Sequence, residues 1–157
     1  MERFSLDGVP AFLLRPAKTV TETTVIYFHG GCFAIGSTAA HFPWIQQLAV
    51  ESNSVVFSVD YALAPEHPFP NGTNDAIKAT NAVFKLSRQL NIKTDKVILA
   101  GDSAGANIVA SVAFDFAKNG RSSDIKGIIL GSPMLQIADM ANIPSYRKYG
   151  KLQTRQF

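Results

Sequence analysis

The stretch from Val97 to Asn107, read Val-Ile-Leu-Ala-Gly-Asp-Ser-Ala-Gly-Ala-Asn, narrows what this chain can fold into more than any other. Its opening apolar residues predict a buried strand, the glycine-flanked serine a sharp turn, and Ala104 to Phe116 a helix rich in small residues. Gly101-Asp102-Ser103-Ala104-Gly105 fits the G-x-S-x-G elbow, a strained strand-to-helix turn that lifts a serine hydroxyl above the end of a sheet. Ser103 is therefore a candidate nucleophile. Side chains at the two glycines would collide where strand and helix cross closely. The positive end of the helix and the free amide of Ala104 suit negative charge developing on an attacked carbonyl oxygen. An ordinary strand-to-helix turn capped by serine satisfies the same five residues, so other motifs must decide.

The 157 residues, 46% hydrophobic and 17% charged, are enough for one folded domain with one core. A net charge of +3 comes from scattered lysines and arginines, which gives no nucleic-acid footprint. A single cysteine, Cys32, excludes an internal disulfide. No apolar run reaches the roughly 18 residues of a membrane span, and the first residues show no secretory h-region.

In chain order, Phe4 to Leu6 and Val9 to Leu14 flank Asp7-Gly8, a favoured two-residue hairpin turn, and predict an antiparallel lead-in across residues 1–22. Thr23 to Phe28 predicts a strand running into the glycine-rich His29-Gly30-Gly31-Cys32-Phe33-Ala34-Ile35-Gly36-Ser37, where bare backbone amides can approach a ligand. Phe42 to Glu51 reads as a helix and Val55 to Val59 as a buried strand. The segment Asp60 to Gly72 is too proline-rich for either element. A helix capped by Thr73 or Asn74 follows through Leu90. Lys96 to Ala100 is the strand entering the elbow, Ala104 to Lys118 the helix leaving it, and Ile125 to Leu130 one more buried strand. Three successive strand-helix-strand units predict a parallel sheet covered on both faces. The core thus spans 23–132, and 133–157, with Arg147, Lys148, Lys151 and Arg155, reads as a solvated tail.

Taken together, His29-Gly30-Gly31 after a strand, Asp60-Tyr61 with Leu63-Ala64-Pro65-Glu66, and the elbow, in that order, resemble the hormone-sensitive-lipase group of the α/β-hydrolase family. Leu135-Gln136 followed by Pro144-Ser145-Tyr146 is most similar to the arylacetamide deacetylases and neutral cholesterol ester hydrolases within it. The resemblance covers nearly the whole chain and corresponds to the first half, or somewhat more, of a complete member. It implies an α/β fold with a mostly parallel sheet, cut before its last strands. It also implies a serine hydrolase of carboxylic esters or amides, with a small-molecule substrate and no metal or organic cofactor.

Position by position, the resemblance makes Ser103 the attacking group and the amides of Gly31, Cys32 and Ala104 the oxyanion hole. His29, Gly30, Gly101, Asp102 and Gly105 become structural residues of the two motifs. Asp60, Pro65 and Glu66 would brace the neighbouring loop, and His67 is a surface or bracing residue. Three departures stand out. Cys32 occupies the place of a third glycine, tolerable only if the backbone there avoids positive φ. Ala62 stands where the resemblance implies arginine.

The third departure is that the triad needs an acid and then a histidine after the serine, whereas His29, His41 and His67 all precede it. Asp115, Asp124 and Asp139 follow Ser103, but none falls where the triad acid belongs. The expectation is a partial hydrolase with little activity alone. The competing class is a non-catalytic small-molecule binder on the same scaffold. A dinucleotide-binding domain fits the alternation of strands and helices but not the glycine spacing. Asn71-Gly72-Thr73 forms a glycosylation sequon that an Asn-Gly turn explains equally well, and the compartment stays open.

Overall fold

The strand Thr24–Phe28 is buried along its whole length, as a strand with both faces covered must be. In the computed structural model, which describes residues 1–16 and 23–136 together with 142, 144 and 147, it is the third of six strands. The order along the chain is β1 (Glu2–Leu6), β2 (Val9–Leu14), β3 (Thr24–Phe28), α1 (Thr38–Glu51), β4 (Val55–Val59), α2 (Asn71–Leu86), β5 (Val97–Asp102), α3 (Ala104–Lys118) and β6 (Ile125–Gly131). The sheet runs β1-β2-β4-β3-β5-β6. Its last four strands are parallel, and the β1-β2 hairpin joins antiparallel through β2 and β4. The hairpin turn puts Asp7 and Gly8 at φ 55° and 88°, the positive values that Asp-Gly tolerates.

Side chains alternate across the sheet as a period of two dictates. Ile26, Phe28, Phe57, Val59 and Leu99 pack with Val83, Ile108, Val109 and Val112 of α2 and α3. Val25, Tyr27, Val56 and Ala100 meet Ile45 and Ala49 of α1 on the other face. The sheet is thus covered on both sides, as the succession of strand-helix-strand units predicts.

Several boundaries differ from the sequence expectation. The first helix starts at Thr38 rather than Phe42, because the Ser37 hydroxyl accepts from the Ala40 amide (3.2 Å) and Asp60 Oδ1 accepts from the Thr38 amide (2.6 Å). Pro43 consequently lies inside the helix. The second helix begins at Asn71 and has no side-chain cap, so Thr73 and Asn74 are helical residues rather than caps. It closes at Leu86, and the chain continues to Leu90 in turns. Strand β5 runs on to Asp102, so the elbow follows the strand without a spacer.

Strand β6 reads from its residues as one more buried strand, whereas the resemblance, cut before the family's later strands, leaves Ile128 to Leu130 short of cover, and the second expectation is the one met. Ile128 and Ile129 are 47% and 50% exposed, because β6 is the sheet's last strand among the described residues and only β5 pairs with it. The tail residues 137–141, 143, 145, 146 and 148–157, including Asp139, Lys148, Lys151 and Arg155, lie outside the described residues, as do 17–22 of the lead-in. No helix among the described residues is long and apolar enough to cross a membrane.

This difference in burial is measurable. Leu99→Ala, which empties a fully buried site in β5, lowers the unfolding free energy by about 2–5 kcal/mol. Ile129→Thr on β6 lowers it by less than about 1 kcal/mol. Urea midpoints with unchanged slopes check both values.

Candidate active site

Parallel pairing sets Phe28 of β3 beside Gly101 of β5, so the chain leaves both strands at the same end of the sheet. The loop after β3 and the elbow after β5 are therefore neighbours. Ser103 sits between strand and helix at φ 51° and ψ −115°, a conformation sparsely populated by any residue with a side chain. The neighbouring backbone holds it there: its amide donates to the Gly131 carbonyl (2.7 Å), and its carbonyl accepts from Asn107 (3.3 Å) and Met134 (3.4 Å). Its hydroxyl is half-buried and bonded to no protein group among the described residues.

Both elbow glycines are dictated by contact. A Cβ on Gly101 would lie 2.6 Å from the Gly105 carbonyl carbon, and one on Gly105 only 2.0 Å from the Phe28 carbonyl oxygen. Helix α3 thus rests directly on the backbone that opens the glycine loop.

Within that loop, Gly31 has φ 129°, and its carbonyl accepts from Ala34 and Ile35 (both 3.0 Å), closing a tight turn. Cys32 and Phe33 follow at φ 53° and 62°. The condition for a relaxed cysteine in place of glycine is therefore not met, and the left-handed backbone there stores about 1–2 kcal/mol. The Cys32 side chain is exposed. The amides of Gly31, Cys32 and Ala104 donate to no protein acceptor among the described residues, which leaves them free for an oxygen atom at the site.

Asp102, the residue before the serine, ties the two motifs together. Its Oδ1 accepts from the Tyr27 hydroxyl (2.5 Å) and the Gly30 amide (2.9 Å), and His41 Nε2 lies 3.9 Å from Oδ2. Burial, with the Asp102 carboxylate beside it, raises the Tyr27 pKa above the ordinary phenol value, so Tyr27 stays a donor. Gly30 must be glycine, since a Cβ there would fall 2.2 Å from Asp102 Oδ2.

His29 is 1% exposed, its ring stacked between Tyr61 (4.6 Å between centroids) and His41 (5.4 Å). The Tyr61 hydroxyl donates to the His29 carbonyl (2.6 Å), and His29 Nδ1 lies 2.8 Å from the Gly30 carbonyl oxygen. Desolvation lowers the His29 pKa below the usual histidine value despite that hydrogen bond, so the ring is neutral and Nδ1 carries the proton.

Asp60 binds the amide and hydroxyl of Thr38 (2.6 and 2.8 Å), fixing the start of α1. Glu66 and His67 are exposed, and no bond among the described residues gives Glu66 a bracing contact. Asp124 pairs with Arg121 (2.8 Å) ahead of β6, at the opposite end of the sheet, and Asp115 lies along α3. Asp139 is outside the described residues. Tyr27, Thr38 and His41 did not emerge from sequence motifs. The signal for Tyr27 was a phenol within the buried, mostly apolar strand Thr24–Phe28, which needs a buried partner. Among the described residues, no three His, Cys, Asp or Glu side chains gather to hold a metal ion.

A family profile described as the alpha/beta hydrolase fold matches residues 25–156. The chain belongs to the α/β-hydrolase fold family. Relatives place it in the hormone-sensitive-lipase group. The hormone-sensitive lipase of Ictidomys tridecemlineatus is 37% identical over 138 residues, 84% of this chain and 18% of that protein. Esterase LipI of Mycobacterium tuberculosis is 45% identical over 89 residues, 57% of this chain and 28% of that protein. Among solved structures, a hyperthermophilic esterase from the archaeon Pyrobaculum calidifontis superposes with TM-score 0.80 at 37% identity, over 84% of this chain and 44% of that one. The metagenomic carboxylesterase EstE1 superposes with TM-score 0.85 at 33% identity, over 94% and 50%. The matched region spans half or less of each of these relatives.

Two measurements test this packing. Gly105→Ala destabilises the chain by about 3 kcal/mol or more, since backbone must move. Gly127→Ala, whose Cβ would meet only Ile98 at 3.9 Å, stays within about 0.5 kcal/mol in the same melts. The depressed His29 pKa makes stability fall as pH drops through about 6.5, where the unfolded histidine takes up a proton that the folded one refuses. Urea midpoints at about pH 7.5 and 5.5 show a smaller drop in His29→Asn than in the unaltered chain.

Proposed function

We propose that this chain carries the nucleophile half of a serine hydrolase acting on carboxylic esters or amides. The observation that carries the reading is Ser103 held at φ 51°, its hydroxyl unbonded, beside the unpaired amides of a glycine loop at the same sheet end. Backbone strain of this kind persists where the surrounding structure enforces it, and it clusters at reactive sites.

In the proposed reaction the Ser103 hydroxyl oxygen adds to the substrate carbonyl carbon and its proton passes to a base. The oxyanion sits among the amides of Gly31, Cys32 and Ala104, within reach of the positive end of α3. Collapse of the adduct expels the alcohol or amine, which takes the proton, and water then releases the acid. Membership of a family that includes esterases and lipases supports this substrate class.

The 157 residues hold no histidine after Ser103. Without a base hydrogen-bonded to the hydroxyl, the chain by itself turns over around a millionfold more slowly than a complete triad, the residue of catalysis coming from the oxyanion site. The experiment is covalent labelling by a fluorophosphonate probe. We expect slow labelling confined to Ser103 and abolished in Ser103→Ala. Equal labelling of both proteins overturns the assignment and leaves a small-molecule binder on a hydrolase scaffold.

A further inference from the structure

Asn71-Gly72-Thr73 is the one Asn-X-Ser/Thr run in the 157 residues. An Asn-Gly turn is the competing reason for those residues, and the backbone removes it. Neither Asn71 nor Gly72 has a positive φ, whereas Gly120 of the Asn119-Gly120 pair, just past α3, turns at φ 72°. Packing alone accounts for Gly72, since a Cβ there would lie 2.7 Å from the Ala62 carbonyl oxygen. Pro70 holds the cap position of α2, so Asn71 caps nothing.

The asparagine is exposed in the first turn of α2. Its Nδ2 donates to the Pro68 carbonyl (2.7 Å), which also accepts from the Asn71 backbone amide (3.1 Å). A side-chain amide nitrogen carries two hydrogens, so one can be replaced while the other keeps that contact. The Thr73 hydroxyl is bonded to no protein group among the described residues, although a threonine within a helix often bonds back to the preceding turn, as Thr80 does to the Ala76 carbonyl (2.8 Å). Two residues before the asparagine, Phe69 leaves its ring 87% exposed, an apolar surface for whatever is attached beside it. A pyranose ring has a matching side, a row of C–H bonds suited to the electron-rich face of an aromatic.

We propose that Asn71 is an N-glycosylation acceptor whose first N-acetylglucosamine packs on the Phe69 ring. In the transfer, Asn71 Nδ2 attacks C1 of an oligosaccharide carried on a polyprenyl diphosphate. The N–C1 bond forms, the C1–O bond to the diphosphate breaks, and the nitrogen gives up one proton as the polyprenyl diphosphate leaves. An oligosaccharyltransferase brings the donor, and Ser103 has no part in the step. The test is translation of the chain behind a cleavable secretory leader with endoplasmic-reticulum microsomes, reading the protease-protected product. We expect a product that loses mass to peptide N-glycosidase, with Asn71 converted to aspartate, and no such loss in Asn71→Gln or Thr73→Ala. Because transfer acts on the emerging chain, that readout does not depend on how either variant folds. In melts of the purified glycoprotein, the glycan raises the midpoint over Asn71→Gln by about 2–4 °C, the shift a single aromatic contact produces in a chain of this length. Phe69→Ser, or Phe69→Leu, which keeps an apolar side chain without a ring face, cancels that gain. Protected product without a glycan overturns the acceptor assignment, and a glycan whose effect on melting is unchanged in both Phe69 variants overturns the contact between sugar and ring.

Discussion

Everything at the candidate site depends on how closely helix α3 approaches the backbone at the end of β3. The Phe28 and His29 carbonyl oxygens occupy the space that a Cβ on Gly105 would need. Contact between two main chains leaves no side chain to repack and no rotamer to adjust, so it holds glycine loop and elbow in one relative position. Fixed donors are what oxyanion stabilisation requires, because dipoles that must reorient during reaction lose most of their effect. The close contact is therefore both a packing solution and what fixes the direction of the loop amides relative to Ser103.

The polar contacts around Asp102 reinforce the same registration from the opposite face. One carboxylate oxygen receives Tyr27 from β3 and Gly30 from the loop, while its own backbone belongs to the strand that ends in the elbow. A carboxylate with two good donors in a half-buried setting is well compensated for lost hydration. The loop is thus held by van der Waals contact at Gly105 and by hydrogen bonds at Gly30. Neutral His29, sandwiched by Tyr61 and His41, fills the space beneath without introducing a charge that would need a partner.

Much of this was legible in the chain. Strand periods, the Asp-Gly hairpin and the order of strands and helices determined the layers, since these are local signals that tertiary packing did not contradict. The elbow and glycine loop could be read because backbone approach demands glycine at set spacings. What escaped were contacts between segments distant in sequence. The Tyr27 and Asp102 pair spans 75 residues, and nothing near either one marks the other. The start of α1 escaped because Ser37 and Asp60 act on it together, a cap shared between two loops. The exposed edge at β6 could be read only from the resemblance, since an apolar strand reads the same whether or not a neighbour covers it.

The left-handed backbone at Cys32, Phe33 and Ser103 raises a balance that these contacts resolve. Each such residue opposes folding by an amount of order 1–3 kcal/mol, comparable to a sizeable part of a domain's net stability. None of the three is relieved by glycine, and their strain is concentrated at one end of two adjacent strands. Those strands, β3 and β5, are the inner members of the parallel layer, flanked on both sides and covered by helices. Strain placed there can be borne by cooperative burial that no single substitution removes. At β6, half exposed, the same backbone would relax by local fraying. The position of the strained turn in the middle of the sheet is accordingly a mechanical requirement as well as a topological one.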